Sequence, residues 1–234
     1  MHSHFSLIWE SVADAVPEHI ALIQGERRIT WRNYEDRAAR LAQGLIDTGL
    51  GHNSKVGMYL YNSPEYAETN FAAMKIGGVP INVNYRYLDE ELHYLLENAD
   101  IEALVFHSSL GDRVARVCDR LPMLKAMIWV DDGPAEDGSM GPANGIAYDT
   151  FLAQASGTAR TQPQGDEIYM LYTGGTTGMP KGVMYPLDGF TEFFMRGFPP
   201  MIGLDPFENA DRFAPAAKQM VDANSAVVAM SGPP

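Results

Sequence analysis

The sequence predicts an α/β fold: mostly parallel sheets flanked by helices. Three observations point there. Apolar runs of strand length alternate with amphipathic segments of helix length through the first ~130 residues. Several of the helical segments carry one apolar stripe at three- and four-residue spacing. Hydrophobic residues make up 46% of the 234-residue chain and charged residues 20%, which suits a protein with a substantial core.

Phe5 to Val16 reads as a helix stopped by Pro17. Ile20–Ile23 and Arg27–Thr30 flank Gln24-Gly25-Glu26 and read as a short hairpin. Trp31 to Thr48 is the clearest helix. Its Tyr34, Ala38, Leu41, Ala42 and Leu45 form one stripe, Thr30 is the expected N-cap, and Gly49 sits where a helix often ends in left-handed geometry. A strand at Val56–Tyr61 follows. Ser63-Pro64 then opens a helix that runs to about Ile76 and stops at Gly77-Gly78. Val79–Val83 is a strand, and Leu88, Leu92, Leu95 and Leu96 mark a core-facing helix. Ala103–Phe106, Asp112–Arg120 and Ala126–Val130 read as strand, helix and strand.

The character changes at Asp131. Residues 131–167 hold six glycines and three prolines and read as a long surface connection with one short helix near Tyr148–Ala155. Regular structure is expected again at Ile168–Tyr172 and Gly182–Tyr185, both strands. A helix around Leu187–Arg196, a Pro-rich stretch, a helix at Pro215–Asp222 and an apolar run at Ala226–Met230 complete the chain. The expected organisation is a first α/β lobe at 1–130, an irregular connection at 131–167 and a third region at 168–234.

Seventeen Lys and Arg against 30 Asp and Glu give a net charge of −13, which repels nucleic acid and anionic membrane as a whole. The single cysteine, Cys118, excludes an intramolecular disulfide and a cysteine-based metal site. No apolar run reaches the ~18 residues a membrane span needs, and the N-terminus lacks the basic start of a signal peptide. With a mean hydropathy of −0.17, the expectation is a soluble cytoplasmic protein without a transmembrane segment.

Thr173-Gly174-Gly175-Thr176-Thr177-Gly178-Met179-Pro180-Lys181-Gly182 carries the strongest functional content. It directly follows a predicted strand. Its glycines free the backbone so that successive N–H groups can converge on one concavity. The threonine hydroxyls add donors, one of which can also ligate a metal ion, and Lys181 adds a mobile positive charge. Together these suit a polyphosphate with its Mg²⁺. The segment is not a Walker A loop, because Pro180 precedes the lysine and Val183-Met184-Tyr185 favours a strand where that motif opens a helix.

The run YTGGTTGMPKGVMY resembles the phosphate-binding signature of the adenylate-forming, AMP-binding enzymes: acyl-CoA synthetases, luciferases and the adenylation domains of peptide synthetases. ITWRNYEDRAARLAQGL and VGMYLYNSPEYAETNFAAMKIGGVPINVN resemble that family's first long helix and its next strand–helix–strand, in the family's order. Gly174 departs from the serine of many members. The resemblance implies that Thr173, Gly174, Gly175, Thr176, Thr177, Gly178 and Lys181 bind the ATP phosphates, with Thr176 contacting Mg²⁺ and Lys181 acting in catalysis. It implies ATP-dependent activation of a small-molecule carboxylic acid to an acyl-adenylate and then, with coenzyme A as co-substrate, to an acyl-CoA. NYRYLDEELHYLLENAD and YMLYTGGTTGMPKGVMY look most like bacterial fatty-acyl or steroid-side-chain acyl-CoA ligases. The family's downstream Thr-Glu motif, ribose-binding aspartate and late catalytic lysine find no match. The expectation is therefore an incomplete N-terminal domain, inactive by itself. An amino-acid-adenylating domain and a non-catalytic nucleotide-binding or interaction module are the competing readings, and the oligomeric state is open.

The other candidates read as structural. Of the six histidines, His2-Ser3-His4 is expected in a disordered tail, His93 has no second ligand one turn on, and no HExxH occurs. Asp137-Gly138-Ser139-Met140-Gly141 is not a nucleophile elbow, since Asp replaces its first glycine. Asp131-Asp132 and Glu136-Asp137 are expected as solvated surface. Cys118 is expected as a buried thiol. Phe190, Phe193, Phe194 and Phe198 have helical spacing; such a stripe is usually core, and the family resemblance places a comparable region near the acyl pocket.

Overall fold

The structure is a computed structural model that describes residues 3–173, 179–201, 203, 205–208 and 212–222. Helix α1 (Phe5–Ala15) leads into an antiparallel hairpin, β1 (Ile20–Gln24) and β2 (Arg27–Thr30). Thr30 caps α2 (Trp31–Asp47) by accepting the Asn33 N–H at 3.3 Å, and Gly49 leaves the helix at φ +82°. Strand β3 (Lys55–Tyr59) precedes α3 (Pro64–Lys75), which Ser63 caps with proline at its first position. There follow β4 (Val79–Asn82), α4 (Asp89–Asn98), β5 (Ile101–His107), α5 (Gly111–Val117) and β6 (Ala126–Val130).

These strands form a five-stranded parallel sheet in the order β4-β3-β5-β6-β7, where β7 is Ile146–Ala147. Each face is covered, as parallel strands joined by crossover helices require. Leu41 and Leu45 of α2 pack with Val56, Met58, Val105 and Ile128 on one face. Leu92, Leu95 and Leu96 of α4 pack with Tyr59, Ile81 and Phe106 on the other. Strand β5 therefore shows no apolar-polar alternation from Ala103 to Phe106, all four of which are buried.

Two expectations are corrected, and the two later strands are found. Residues 131–167 are more than a surface connection: β7 extends the main sheet, and Tyr148, Phe151 and Leu152 of α6 (Tyr148–Gln154) are buried against the α2 face. The strands expected after it, β8 (Ile168–Thr173) and β9 (Lys181–Pro186), make a separate antiparallel pair. The Pro-rich stretch does not stop the next helix, since α7 runs Leu187–Met201 through Pro199 and Pro200. Proline at 199 supplies no N–H to the Met195 carbonyl, which accepts the Phe207 N–H at 3.1 Å instead. Helix α8 (Phe213–Asp222) packs on α1, and the apolar run expected at Ala226–Met230 lies outside the described residues. Among the described residues no helix is long and apolar enough to cross a membrane.

A buried ionic cluster joins α1, α2 and α3. Lys75 Nζ donates to Glu10 at 2.5 Å and Glu35 at 2.8 Å, with its own side chain fully buried. Arg160 bridges the same two carboxylates and Asp14, tying the 155–167 segment to α1. Burial raises the Glu35 carboxyl above its usual value, and Lys75 opposes that rise. Truncating one partner of such a cluster leaves uncompensated buried charge. Lys75→Ala is expected to lower unfolding free energy by about 3–5 kcal/mol in urea denaturation; a loss below about 1 kcal/mol would show that water reaches the cluster.

Candidate functional site

The ten-residue motif starts on the last residue of β8 and ends on the first two residues of β9. The pairing register runs from Ile168↔Pro186 through Tyr172↔Gly182 to Thr173↔Lys181. Thr173 and Lys181 therefore stand opposite each other where the chain enters and leaves the tip, and both are exposed. Lys181 begins a strand, as the β-prone residues after it predicted, and not a helix. Gly174, Gly175, Thr176, Thr177 and Gly178 lie outside the described residues.

Period-two alternation positions the hairpin. Ile168, Met170 and Tyr172 pack against the core face that holds β4 and α4. Tyr169 points the other way and stacks on Phe190 of α7 at 4.9 Å, as does Tyr185 of β9 at 5.3 Å. Phe5 of α1 meets Phe190 and Phe194 edge-on, so α1 wedges the hairpin and α7 against the first lobe. Glu167 fixes the approach to β8: it accepts the N–H groups of Gln164 and Gly165, and its carbonyl accepts the Leu187 N–H at 2.8 Å. The expected phenylalanine core stripe divides. Phe190 and Phe194 are half-buried, whereas Phe193 and Phe198 are exposed at 67% and 53%. Tyr185, Pro186, Gly189, Phe190 and Phe193 line an apolar cleft of about 360 Å³.

Among the described residues Lys181 has no ion-pair partner, which leaves its ammonium for an external anion. The other polar hollow is less suited. A cavity of about 270 Å³ between Arg27, Arg37, Glu65 and Asp149 contains two guanidiniums, but each is already neutralised. Arg27 pairs with Glu65 at 2.6 Å, and Arg37 pairs with Glu68 at 2.8 Å and Asp149 at 2.9 Å.

The AMP-binding enzyme family matches residues 9–224. The chain belongs to this family. It is 42% identical over 177 residues to a 3-oxocholest-4-en-26-oate–CoA ligase of Rhodococcus rhodochrous. It is 40% identical over 181 residues to a medium/long-chain-fatty-acid–CoA/3-oxocholest-4-en-26-oate–CoA ligase of Mycobacterium marinum. Each alignment covers 75% of this chain and 32% of the relative, so the chain spans about a third of the length of these curated proteins. Its fold is similar to that of an anthranilate CoA ligase crystallised with anthranoyl-AMP, at a TM-score of 0.73 and 19% identity over 86% of this chain and 38% of that one.

The AMP-binding domain also gathers a polar group that the motif search missed, at the C-terminal ends of β3 and β5. His107 is buried, and its Nδ1 accepts the Tyr61 N–H at 3.0 Å, which fixes the loop between β3 and α3. The ring lies 5.1 Å from that of Tyr61, which in turn contacts Tyr85. Arg113 donates to Tyr59 Oη and to the Tyr85 carbonyl. No local spacing marks this group, because parallel-strand topology alone brings it together; a histidine closing a buried strand was the one available signal.

The remaining candidates resolve structurally. His4 is not in a tail: it is buried and caps α1 through Nδ1, which accepts the Ser6 N–H. His2 lies outside the described residues. His93 sits 3.9 Å from Glu97, and His52 3.0 Å from Asp166. Asp132 accepts from Ser108 and Ser109, while Asp131 and Asp137 close local turns. Cys118 is half-buried in a short 3₁₀ turn rather than fully buried in a helix, and partial burial raises its thiol pKa, which disfavours the nucleophilic thiolate. Among the described residues no group of three potential metal-ligating side chains occurs.

Burial pulls the His107 imidazole below its ordinary 6.5, against the opposing charges of Asp132 and Glu65. The folded state thus binds its proton less readily than the unfolded state. Stability is intact above pH 6.5 and falls as the pH drops from there through the folded-state value. His107→Asn retains an acceptor near the Nδ1 position and removes the titration. Urea denaturation at a series of pH values between about 7.5 and 5 should show a shallower decline for the variant. Parallel curves would show that burial does not depress the His107 imidazole.

Proposed function

We propose that this chain supplies the phosphate-binding part of an enzyme that activates a fatty or steroid-side-chain carboxylic acid with ATP. The acid's carboxylate attacks the α-phosphorus, giving an acyl-adenylate and pyrophosphate, and coenzyme A thiol then displaces AMP to give the acyl-CoA. The observation that carries this reading is the Thr173↔Lys181 register, which sets a lysine without an ion-pair partner among the described residues directly after a Gly/Thr-rich sequence. The names of the curated relatives support the substrate class. The two CoA ligases are 42% and 40% identical, against 29% for the relative named Tyrocidine synthase 2, which favours the acyl-CoA reading over the amino-acid-adenylating alternative.

In this reading the tip forms no covalent bond with substrate. Backbone N–H groups of Gly174, Gly175 and Gly178, the hydroxyls of Thr173 and Thr177, and Lys181 stabilise the charge that develops on the departing β- and γ-phosphates. Mg²⁺ favours oxygen ligands and is commonly held through phosphates, which suits a tip rich in threonine hydroxyls; Thr176 would contact it. The bound ion would neutralise phosphate charge. The complete reaction is assigned to a chain of the relatives' length, and the 234-residue chain alone is proposed to be inactive in ATP–pyrophosphate exchange.

Loss of a charge-assisted hydrogen bond costs about 1.5–3 kcal/mol. Lys181→Ala in an enzyme of full length should therefore lower kcat/KM for adenylation by roughly 10- to 150-fold. Thiolysis of preformed acyl-adenylate should change much less, since no pyrophosphate is present. Lys181→Arg should rescue only in part, because a planar guanidinium does not reproduce a compact ammonium. Both half-reactions remaining within about twofold of wild type would exclude the phosphate role.

A further inference from the structure

Both limbs of the hairpin are fastened to one side of α4. Tyr94 and Asn98 are four residues apart, so their side chains lie one above the other on the helix. On the β8 limb, Tyr172 Oη donates to Asn98 Oδ1 at 2.8 Å. On the β9 limb, Tyr94 Oη donates to the carbonyl of Pro180 at 3.3 Å, one residue before Lys181. Packing explains Ile168 and Met170, but it does not explain a hydroxyl at 172, where phenylalanine would bury as much apolar surface. Partial burial, with Tyr94 and Asp100 nearby, raises the Tyr172 hydroxyl above its ordinary pKa and keeps it a donor.

The cross-strand neighbour of Tyr172 is Gly182. A Cβ on Gly182 would lie 3.1 Å from Met170 Sδ and 3.1 Å from Tyr172 Cε2. The bare backbone there lets the tyrosine ring lie close against β9 while its hydroxyl reaches Asn98. Sterics at 182 and hydrogen bonding at 98 thus fix the same ring.

We propose that Tyr94 and Asn98 are positioning residues that clamp the two roots of the phosphate tip and so set the direction in which Thr173 and Lys181 present their donors. The proposal rests on the phosphate-binding reading and deepens it. Fixing the described residues Tyr172 and Pro180 before a ligand arrives lowers the ordering cost of binding.

The test uses the 234-residue chain as wild type, the Tyr94→Phe/Asn98→Leu double variant and Asn98→Asp, with two readouts. Amide hydrogen exchange reports the clamp, and calorimetric titration with Mg·ATP reports its consequence. In the double variant, exchange at Tyr172, Thr173, Lys181 and Gly182 should quicken about tenfold and the Kd for Mg·ATP should rise about tenfold, the effect of losing two modest hydrogen bonds. Amides of β3 and β5 should keep their protection. Asn98→Asp retains an acceptor for Tyr172 and should restore protection on the β8 limb. Hairpin exchange and affinity both within twofold of wild type would overturn the proposal, as would protection lost equally in β3 and β5. A wild-type chain that binds no Mg·ATP would instead contradict the phosphate reading, and the exchange readout would still decide whether the two residues hold the hairpin.

Discussion

The backbone pairing of Thr173 with Lys181 is the constraint on which the site depends. The antiparallel register brings Thr173 and Lys181, the residues that flank the motif's glycines, opposite each other. A slip of one residue would turn Ile168, Met170 and Tyr172 away from the core and carry Lys181 out of line with Thr173. Register is therefore set by burial as much as by hydrogen bonding. The β8 side chains on the core face pack beside β4 and α4, which are themselves held by the five-stranded sheet.

Charge placement reinforces that arrangement. The chain is acidic, and many of its cations are committed: Lys75 and Arg160 to Glu10 and Glu35, Arg37 to Glu68 and Asp149, Arg116 to Asp89 and Asp112. Burial raises the Glu68 carboxyl above its usual value, while Arg37 and the Tyr148 hydroxyl stabilise its charged form. The first of these pairs brace α1, α2, α3 and α6, and those of Arg116 join α4 to α5. The exposed Lys181 is a different element: among the described residues it has no ion-pair partner, so its hydrogen-bonding capacity is kept for a ligand.

Much of the fold was legible because its signals are local. The stripe from Tyr34 to Leu45, the Thr30 and Ser63 caps and the β-prone residues after Lys181 each act within a few residues and appear as expected. What was missed depends on distant partners. Ile146–Ala147 is too short to read as a strand, and it is one because β6 lies beside it. Pro199 should end a helix, yet Phe207 N–H satisfies the carbonyl that the proline leaves free. His4 looked like tail until burial beside α1 made it a cap. The proposal for the phosphate motif rests on residue types alone, whereas the contacts that support the hairpin could not be read that way. Tyr94, Asn98 and Gly182 meet only after α4 and the hairpin have packed, and His107 meets Tyr61 only across adjacent parallel strands.

Backbone amide chemical shifts, followed while Mg·ATP is titrated into the isotopically labelled chain, test the central claim most directly. The account predicts that the shifts concentrate at Thr173, Lys181 and Gly182, with smaller changes at Tyr94 and Asn98 on α4 and none in the Arg27–Arg37 cavity. Shifts centred on Arg27, Arg37 and Asp149, with the hairpin unmoved, would contradict it.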